Sequence, residues 1–232
     1  MDIRQTAVPQ DRDGASETRQ GEEPSRSRAS RLLVEAGALV AVCAAVLALV
    51  TAFVAEPMGV PSGSMEPVLR PGDRIVVDKV AYETGTVHRG DVVVFDGKDS
   101  FSEGHQTFVK RVVGVGGDTV VCCDRRGRIT VDGVELDESA YLYPGDAPSA
   151  FPFSIRVPEG TLFVLGDHRS QSADSRAHLG DPGGGFVPVG RVVGRVDGIV
   201  LPLSRWRRLT RPAVFAALEM RLRKGVAGGQ QR

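Results

Sequence analysis

An uncharged run of 19 residues constrains this chain more than any other feature of its sequence: Ala36 to Val54, AGALVAVCAAVLALVTAFV. As a helix this run extends about 28 Å, close to the roughly 30 Å hydrocarbon core of a bilayer. A core helix of this length would show a polar face, and a cleaved signal peptide usually has a shorter apolar region nearer the N-terminus. We therefore predict an uncleaved transmembrane anchor over residues 32–54.

The flanks of this run predict its orientation. Arg26, Arg28 and Arg31 precede it and Glu56 follows it. Because positive charge accumulates on the cytoplasmic side of a span, we place the N-terminus in the cytoplasm and everything after about residue 55 outside. Residues 1–31 are polar and mixed in charge, which predicts a disordered cytoplasmic tail.

The composition argues against a dedicated nucleic-acid binder, because the 29 basic and 29 acidic side chains cancel. The 28 glycines and 14 prolines favour short strands and many turns over a helical bundle. Apolar runs separated by turn residues recur over residues 55–203: RIVVDKV, DVVVFD, TFVKRVVGV, DTVVCC, RITVDGVEL, TLFVLGD and GRVVGRVDGIVLPL. We therefore predict a mainly β chain, an antiparallel β-sheet domain behind one N-terminal transmembrane helix.

The C-terminal segment, residues 204–232, is basic and differs from the strand-rich region. Pro212 suits the start of a helix, and the uncharged stretch after it is too short to span a bilayer. We expect a partly helical tail, and the sequence leaves open whether that helix is solvated or lies on the outer membrane surface.

The three cysteines show no spacing typical of a metal site, and no other metal-ligand pattern occurs. Cys43 lies in the apolar run, whereas Cys122 and Cys123 are adjacent. Adjacent cysteines can form only a strained vicinal disulfide. Because side chains alternate along a strand, the sequence favours two free thiols on opposite faces.

Two segments carry residues that could act in catalysis. In VPSGSMEPVLRPGD, residues 60–73, the serines could cap a turn, or Ser64 could be a nucleophile if a base takes its proton. In TFVKRVV, residues 107–113, Lys110 shares a strand face with Phe108 and Val112. A lysine there either extends its ammonium group to water or loses hydration, which lowers its pKa.

A third segment, GDHRSQSADSR at residues 166–176, follows an apolar strand and concentrates hydroxyls, acids and arginines in one loop. Loops held by rigid strands are frequent sites of chemistry. Each segment alone has an ordinary structural explanation: serines that cap a turn, a strand lysine that reaches water, and a solvated polar turn. Together they supply a nucleophile, an amine and groups that could orient it.

The ordered motifs resemble those of bacterial type I signal peptidases, serine endopeptidases that remove signal peptides from exported proteins. The matching stretches follow the apolar run as PSGSMEPVL at 61–69, GDVVVF at 90–95, KRVVGVGGD at 110–118 and GDHRSQSADSR at 166–176. The resemblance covers residues 32 to about 203. It implies a signal peptidase fold, preprotein signal peptides and the lipid bilayer as partners, no cofactor or metal, and a monomer.

The resemblance also implies residue roles. Ser64 is the expected nucleophile and Lys110 the expected general base, while the Ser62 hydroxyl and the Ser64 backbone N–H would form the oxyanion hole. Ser172 corresponds to the serine that forms a hydrogen bond with the catalytic lysine. The expected salt-bridged set is Asp174, Arg176 and Arg111. The positions expected to line the substrate groove are Val60, Pro61, Met65, Val94, Phe108 and Val109.

The last motif departs from the family pattern at three positions. His168, Ser170 and Gln171 stand where Asn, Asp and Asn are common. We expect these residues to tune the loop and not to perform the chemistry.

Three alternatives have identifiable signatures. A Ser-His-Asp triad would use His168 with Asp167 or Asp174. A self-cleaving Ser-Lys repressor would carry a DNA-binding domain where this chain has its tail and apolar run. A membrane-anchored binding protein with a degenerate peptidase fold would lack Ser64 or Lys110, and both are present.

Overall fold

The computed structural model describes residues 26–83 and 85–229. Helix α1 spans Arg26–Phe53 and helix α2 spans Ala213–Gly229. The strands are β1 Ala55–Gly59, β2 Arg74–Asp78, β3 Val92–Asp96, β4 Thr107–Val115, β5 Thr119–Cys122, β6 Ile129–Val131, β7 Val134–Glu135, β8 Phe153–Arg156, β9 Thr161–Leu165, β10 Val187–Pro188, β11 Val192–Leu201 and β12 Arg207–Arg208.

The chain divides into two compact units, and the boundary between Ala45 and Val46 lies within α1. The segment Ser30–Val50 of this helix has a mean hydropathy of 2.5 and meets the length and composition needed to cross a bilayer. The predicted tail lies mostly outside the described residues. Its last part, residues 26–31, was predicted to be disordered but is helical, because residues 26–36 contain no Gly or Pro that would end the backbone ladder.

Within the described residues the larger sheet has the strand order β1-β2-β11-β3-β4-β9-β10, and β12 pairs with β11. These pairings are antiparallel, as predicted. β2 shows the alternation typical of a strand with one buried face, since Ile75 and Val77 are fully buried and their neighbours are not. This sheet brings β4, which carries Lys110, between β3 and β9.

A smaller antiparallel sheet has the order β7-β6-β5-β8. Its hairpin between β6 and β7 turns at Asp132 and Gly133, which both have positive φ, 48° and 77°. Positive φ at both central residues is the geometry of the type I′ turn that Asp-Gly favours. The Asp-Gly pair in this segment is thus the sequence signal of the turn that the structure shows.

The prediction for the cysteines is wrong, because Cys122 and Cys123 are joined by a disulfide. The alternation argument required both residues to belong to one strand. β5 ends at Cys122, which is buried, whereas Cys123 is exposed beyond the strand end. The two side chains are thus not held on opposite faces of a sheet.

The C-terminal segment extends the β domain beyond the predicted boundary at residue 203. β12 adds to β11, and Phe215 and Leu218 of α2 are buried in the core beside Tyr141. The first turns of α2 are therefore packed against the domain and not simply solvated. The Phe215 ring lies so close to Gly90 that a Cβ at residue 90 would come within 2.4 Å of it.

Phe215→Ala is expected to lower the free energy of unfolding by about 3–5 kcal/mol, because it removes a fully buried ring and leaves a cavity. Thermal or urea unfolding of the full chain would measure the loss. Met220→Ala is the matched control on the same helix, because Met220 is 60% exposed. Equal stability of Phe215→Ala and the wild type would show that α2 does not stabilise the domain.

Candidate active site

Ser64 lies in the segment between β1 and β2, where a tight turn is anchored to the core. The Glu66 N–H donates to the Gly63 carbonyl at 3.0 Å, and the Leu69 N–H donates to the Met65 carbonyl at 2.8 Å. Met65 and Leu69 are 1% and 0% exposed. Because Met65 and Leu69 are buried, the backbone that follows the serine is anchored to the core.

Lys110 on β4 reaches this turn. Its Nζ atom donates to Ser64 Oγ at 3.0 Å and to the Val109 carbonyl at 3.1 Å. Both side chains are buried, with Lys110 only 4% exposed. The structure thus brings together the two residues that the sequence singled out as nucleophile and base.

Burial lowers the pKa of Lys110 from 10.5 to about 8, against the opposing effect of the Asp174 and Asp167 carboxylates. The strand register explains this burial, because Lys110 pairs with the fully buried Val93 on β3. Phe108 and Val112 belong to the same apolar cluster as Val93, as the predicted alternation requires. At pH 7 about a tenth of the lysine is therefore neutral, far more than for a lysine with its ordinary pKa, and neutral lysine can accept a proton.

Ser62 stands beside the candidate nucleophile. Its Oγ atom lies 3.4 Å from Ser64 Oγ, and the residue is exposed. A hydroxyl at this position can donate to an oxygen that develops charge next to Ser64.

Two buried ion pairs stiffen the loop that follows β9. Arg111 makes a bidentate pair with Asp167, with Nε–Oδ1 and Nη2–Oδ2 distances of 2.8 and 2.7 Å. Arg176 pairs with Asp174 at 2.8 Å, and Asp174 also accepts from the Gly166 N–H. The expected set therefore divides in two, because Arg111 on β4 faces Asp167 and not Asp174.

A third buried pair was not found from the sequence. Arg169 donates to Glu138 and to the Gly166 and Pro148 carbonyls, and the Tyr141 hydroxyl donates to the same Glu138 carboxylate at 2.8 Å. Glu138 lies in a segment without periodicity, 31 positions before Arg169. The sequence shows that Glu138 is acidic, but it does not indicate that Arg169 is its partner.

Ser172 does not make the hydrogen bond that the sequence suggested. Its Oγ atom is buried and has no hydrogen-bond partner among the described residues. It nevertheless lies close to the nucleophile. A Cβ added at Gly166 would meet Ser172 Oγ at 2.2 Å and the Ser64 carbonyl at 2.5 Å, so both groups border the space that Gly166 leaves free.

The residues expected to line a groove differ in exposure. Pro61 is exposed, Phe108 and Val109 are half-buried, and Val60 is 6% exposed. Met65 and Val94 are buried in the cluster that contains Val60, with Val109 packed against it. Met65 and Val94 are therefore interior residues of that cluster, whereas Phe108 packs against the other cluster, which contains Val93.

The geometry gives no support to a Ser-His-Asp triad. Asp167 and Asp174 are both bound to arginine side chains. The His168 ring nitrogen nearest the turn contacts the Gly63 carbonyl at 3.2 Å. Among the described residues, no group of three His, Cys, Asp or Glu side chains could hold a metal ion.

Known proteins are similar to this chain over most of its length. The family described as "Signal peptidase, peptidase S26" matches residues 33–201. Signal peptidase I of Mycobacterium tuberculosis (strain ATCC 25618 / H37Rv) is 38% identical over 243 aligned positions, covering 84% of this chain and 81% of that protein. Probable signal peptidase I-2 of Synechocystis sp. is 36% identical, with coverages of 77% and 78%. Signal peptidase IB of Staphylococcus aureus (strain COL) is 32% identical, with coverages of 75% and 92%.

Proposed function

Because this chain belongs to the peptidase S26 family of signal peptidases, we propose that it cleaves signal peptides from exported preproteins with a Ser64–Lys110 dyad. The observation that carries this proposal is the 3.0 Å contact between Lys110 Nζ and Ser64 Oγ in a buried site. A serine hydroxyl is a weak nucleophile until a base takes its proton. A lysine with a pKa of about 8 supplies such a base near neutral pH.

The proposed reaction is acyl transfer in two stages. Lys110 Nζ takes the Ser64 hydroxyl proton while Ser64 Oγ attacks the scissile carbonyl carbon, which gives a tetrahedral oxyanion. The Ser64 N–H and the Ser62 hydroxyl stabilise that oxyanion. Lys110 then gives the proton to the leaving amine, and the acyl-enzyme remains. In the second stage Lys110 activates a water molecule, which releases the signal peptide and restores Ser64.

The substrate is proposed to bind as an extended strand, in which main-chain hydrogen bonds give affinity and side-chain pockets give specificity. Val60, Met65 and Val94 belong to one apolar cluster, against which Val109 packs. Such a cluster suits the small apolar side chains at the first and third positions before the cleavage site. The groove roles of Pro61 and Phe108 belong to the same proposal.

The proposed location is the cell membrane. The apolar part of helix α1 would be the single span, with the arginines at the N-terminal end of that helix in the cytoplasm and the catalytic domain outside. A site on that side would meet signal peptides as they emerge. We propose a monomer that needs no cofactor.

The full-length protein in detergent micelles is expected to cut a preprotein with an Ala-x-Ala site directly after the second alanine. Mass spectrometry of the product would identify the new N-terminus. Ser64→Ala is expected to abolish cleavage because it removes the attacking oxygen, while Ser204→Ala, at an exposed serine, is expected to cut normally.

Two outcomes would contradict the proposal. A wild-type protein that is folded but never cuts the preprotein would favour the binding protein with a degenerate fold. Cleavage by Ser64→Ala at the wild-type rate would place the nucleophile elsewhere.

A further inference from the structure

His168 is bonded to the nucleophile turn through both its backbone and its ring. Its N–H donates to the Ser64 carbonyl at 3.1 Å, and its Nδ1 atom lies 3.2 Å from the Gly63 carbonyl oxygen. The two acceptors are consecutive carbonyls of the turn that carries Ser64. One residue of the loop after β9 therefore holds both peptide groups adjacent to the nucleophile.

The ring contact specifies where the imidazole proton lies. A carbonyl oxygen only accepts hydrogen bonds, so the Nδ1 atom of His168 must carry the proton that it shares with Gly63. The same carbonyl already accepts from the Glu66 N–H at 3.0 Å. Both lone pairs of the Gly63 oxygen are thus engaged, one by the turn itself and one by a residue 105 positions away.

This carbonyl belongs to the peptide group that also contains the Ser64 N–H. In a planar trans peptide the C=O and the N–H point in opposite directions, so fixing the direction of one fixes the other. Glycine has the freest backbone of any residue, and Gly63 precedes the serine. A second hydrogen bond from outside the turn therefore restricts a peptide that would otherwise rotate.

The imidazole ring is itself held in place. It stacks on the Tyr143 ring with a centroid separation of 3.7 Å and an interplanar angle of 6°. The His168 side chain is 12% exposed, and Glu66 Oε2 lies 3.7 Å from its Nδ1 atom. The Tyr143 N–H in turn donates to the Asp167 carbonyl at 2.9 Å. The donor is thus attached to the rigid loop that carries the Arg111–Asp167 pair.

We infer that His168 is a positioning residue that orients the Gly63–Ser64 peptide so that the Ser64 N–H points at the substrate oxyanion. This inference rests on the proposed function, in which that N–H is an oxyanion donor. His168 does not touch the reacting atoms and transfers no proton. Its contribution is to hold a donor in the direction in which charge develops.

Three substitutions separate this role from simple packing. His168→Phe keeps a ring that can stack on Tyr143 but removes the donor. His168→Asn places an amide N–H close to the position of Nδ1, whereas His168→Gln carries its N–H about one bond farther along the side chain. The inference predicts that His168→Phe and His168→Gln lose cleavage activity and that His168→Asn keeps nearly all of it.

The first measurement is the separation of kcat from KM on a signal-peptide substrate. For His168→Phe and His168→Gln we expect kcat to fall roughly 10- to 100-fold with KM within about twofold of wild type, because a displaced donor weakens only the transition state. His168→Asn should stay within a few-fold of the wild-type kcat. The inference would be overturned by an unchanged kcat in both His168→Phe and His168→Gln, or by a kcat of His168→Asn as low as that of His168→Phe.

The second measurement reports directly on the oxyanion donors. A peptide aldehyde of substrate sequence adds reversibly to Ser64: the Oγ–C bond forms, the hydroxyl proton passes to Lys110, and the former carbonyl oxygen occupies the oxyanion position. The same peptide as a carboxamide binds without this bond. His168→Phe should lower the affinity for the aldehyde by the same factor by which it lowers kcat/KM. The affinity for the carboxamide should not change.

Equal weakening of both ligands would indicate a damaged groove and would overturn the positioning role. Wild-type protein that neither cuts the substrate nor binds the aldehyde more tightly than the carboxamide would overturn the proposed function together with this inference. Active wild type with an unaffected His168→Phe would overturn this inference alone.

Discussion

Lys110→Met is expected to reduce the rate of preprotein cleavage by roughly 10³- to 10⁴-fold, the upper range for loss of a general base. In the wild type, Lys110 Nζ lies 3.0 Å from Ser64 Oγ. Methionine has a similar length but cannot accept the proton of the Ser64 hydroxyl. Single-turnover cleavage of the preprotein in micelles would measure the effect. Near-normal activity of Lys110→Met would show that another group takes the proton.

The same substitution is expected to stabilise the folded protein. Burial lowers the pKa of Lys110 from 10.5 to about 8, so between these values the unfolded chain binds a proton that the folded chain does not. The free energy of unfolding therefore rises with pH across that window, and below pH 8 the buried ammonium costs about 3 kcal/mol. Lys110→Met removes this cost, so a dead variant with a raised Tm at pH 7 is expected.

Lys110→Arg is the matched control for charge. Arginine keeps the positive charge but stays protonated, so it cannot act as a base and is also expected to be inactive. For the wild type, kcat/KM should rise with pH and level off above about pH 8, where the lysine is neutral in the free enzyme. A flat profile between pH 6 and 9 would contradict the assignment of the base.

Gly166→Ala is expected to reduce cleavage by at least roughly 100-fold, because a displacement of about 1 Å at a reacting group can cost this much. The new Cβ would meet Ser172 Oγ at 2.2 Å and the Ser64 carbonyl at 2.5 Å. Both distances are too short for a real Cβ contact, so both groups must shift, and the Ser64 carbonyl belongs to the backbone of the nucleophile. Initial rates on the preprotein, together with Tm, would measure the effect.

Gly190→Ala is the control for this substitution, because nothing lies within 4 Å of a Cβ at that position and the backbone is not strained. Removing the Ser172 side chain as well should not restore activity, since the contact with the Ser64 carbonyl would remain. A Gly166→Ala variant with wild-type kcat would show that the nucleophile tolerates the displacement.

Local patterns predicted the stronger strands and missed the weaker ones. β2, β3 and β4 follow apolar runs that were visible in the sequence. β1 was not predicted, since it contains Pro57, which is tolerated only because β1 is the edge strand of its sheet. β10 and β12 have two residues each, too few for any periodicity. Their existence depends on the neighbours to which they add.

The candidate site shows the same division between features that local sequence patterns predict and features that they miss. The apolar face around Lys110 and the turn around Ser64 depend on alternation and turn chemistry, both of which a short stretch of sequence contains. The ring of His168 and the carboxylate of Glu138 carried no such signal. Each acquires its role only from a partner on another segment, as His168 does from Gly63.

The sequence by itself determined the apolar helix and the β character of the domain, because hydrophobic periodicity and turn residues act over a few positions. The candidate chemistry came from the ordered motifs that resemble those of signal peptidases. The tertiary structure decided which groups meet. Lys110 and Ser64 are separated by 46 positions, and Arg111 and Asp167 by 56. Contacts over such separations depend on strand order and register, with β4 between β3 and β9. That order results from how all the strands pack together, so no single segment could specify the partners of Arg111 or His168.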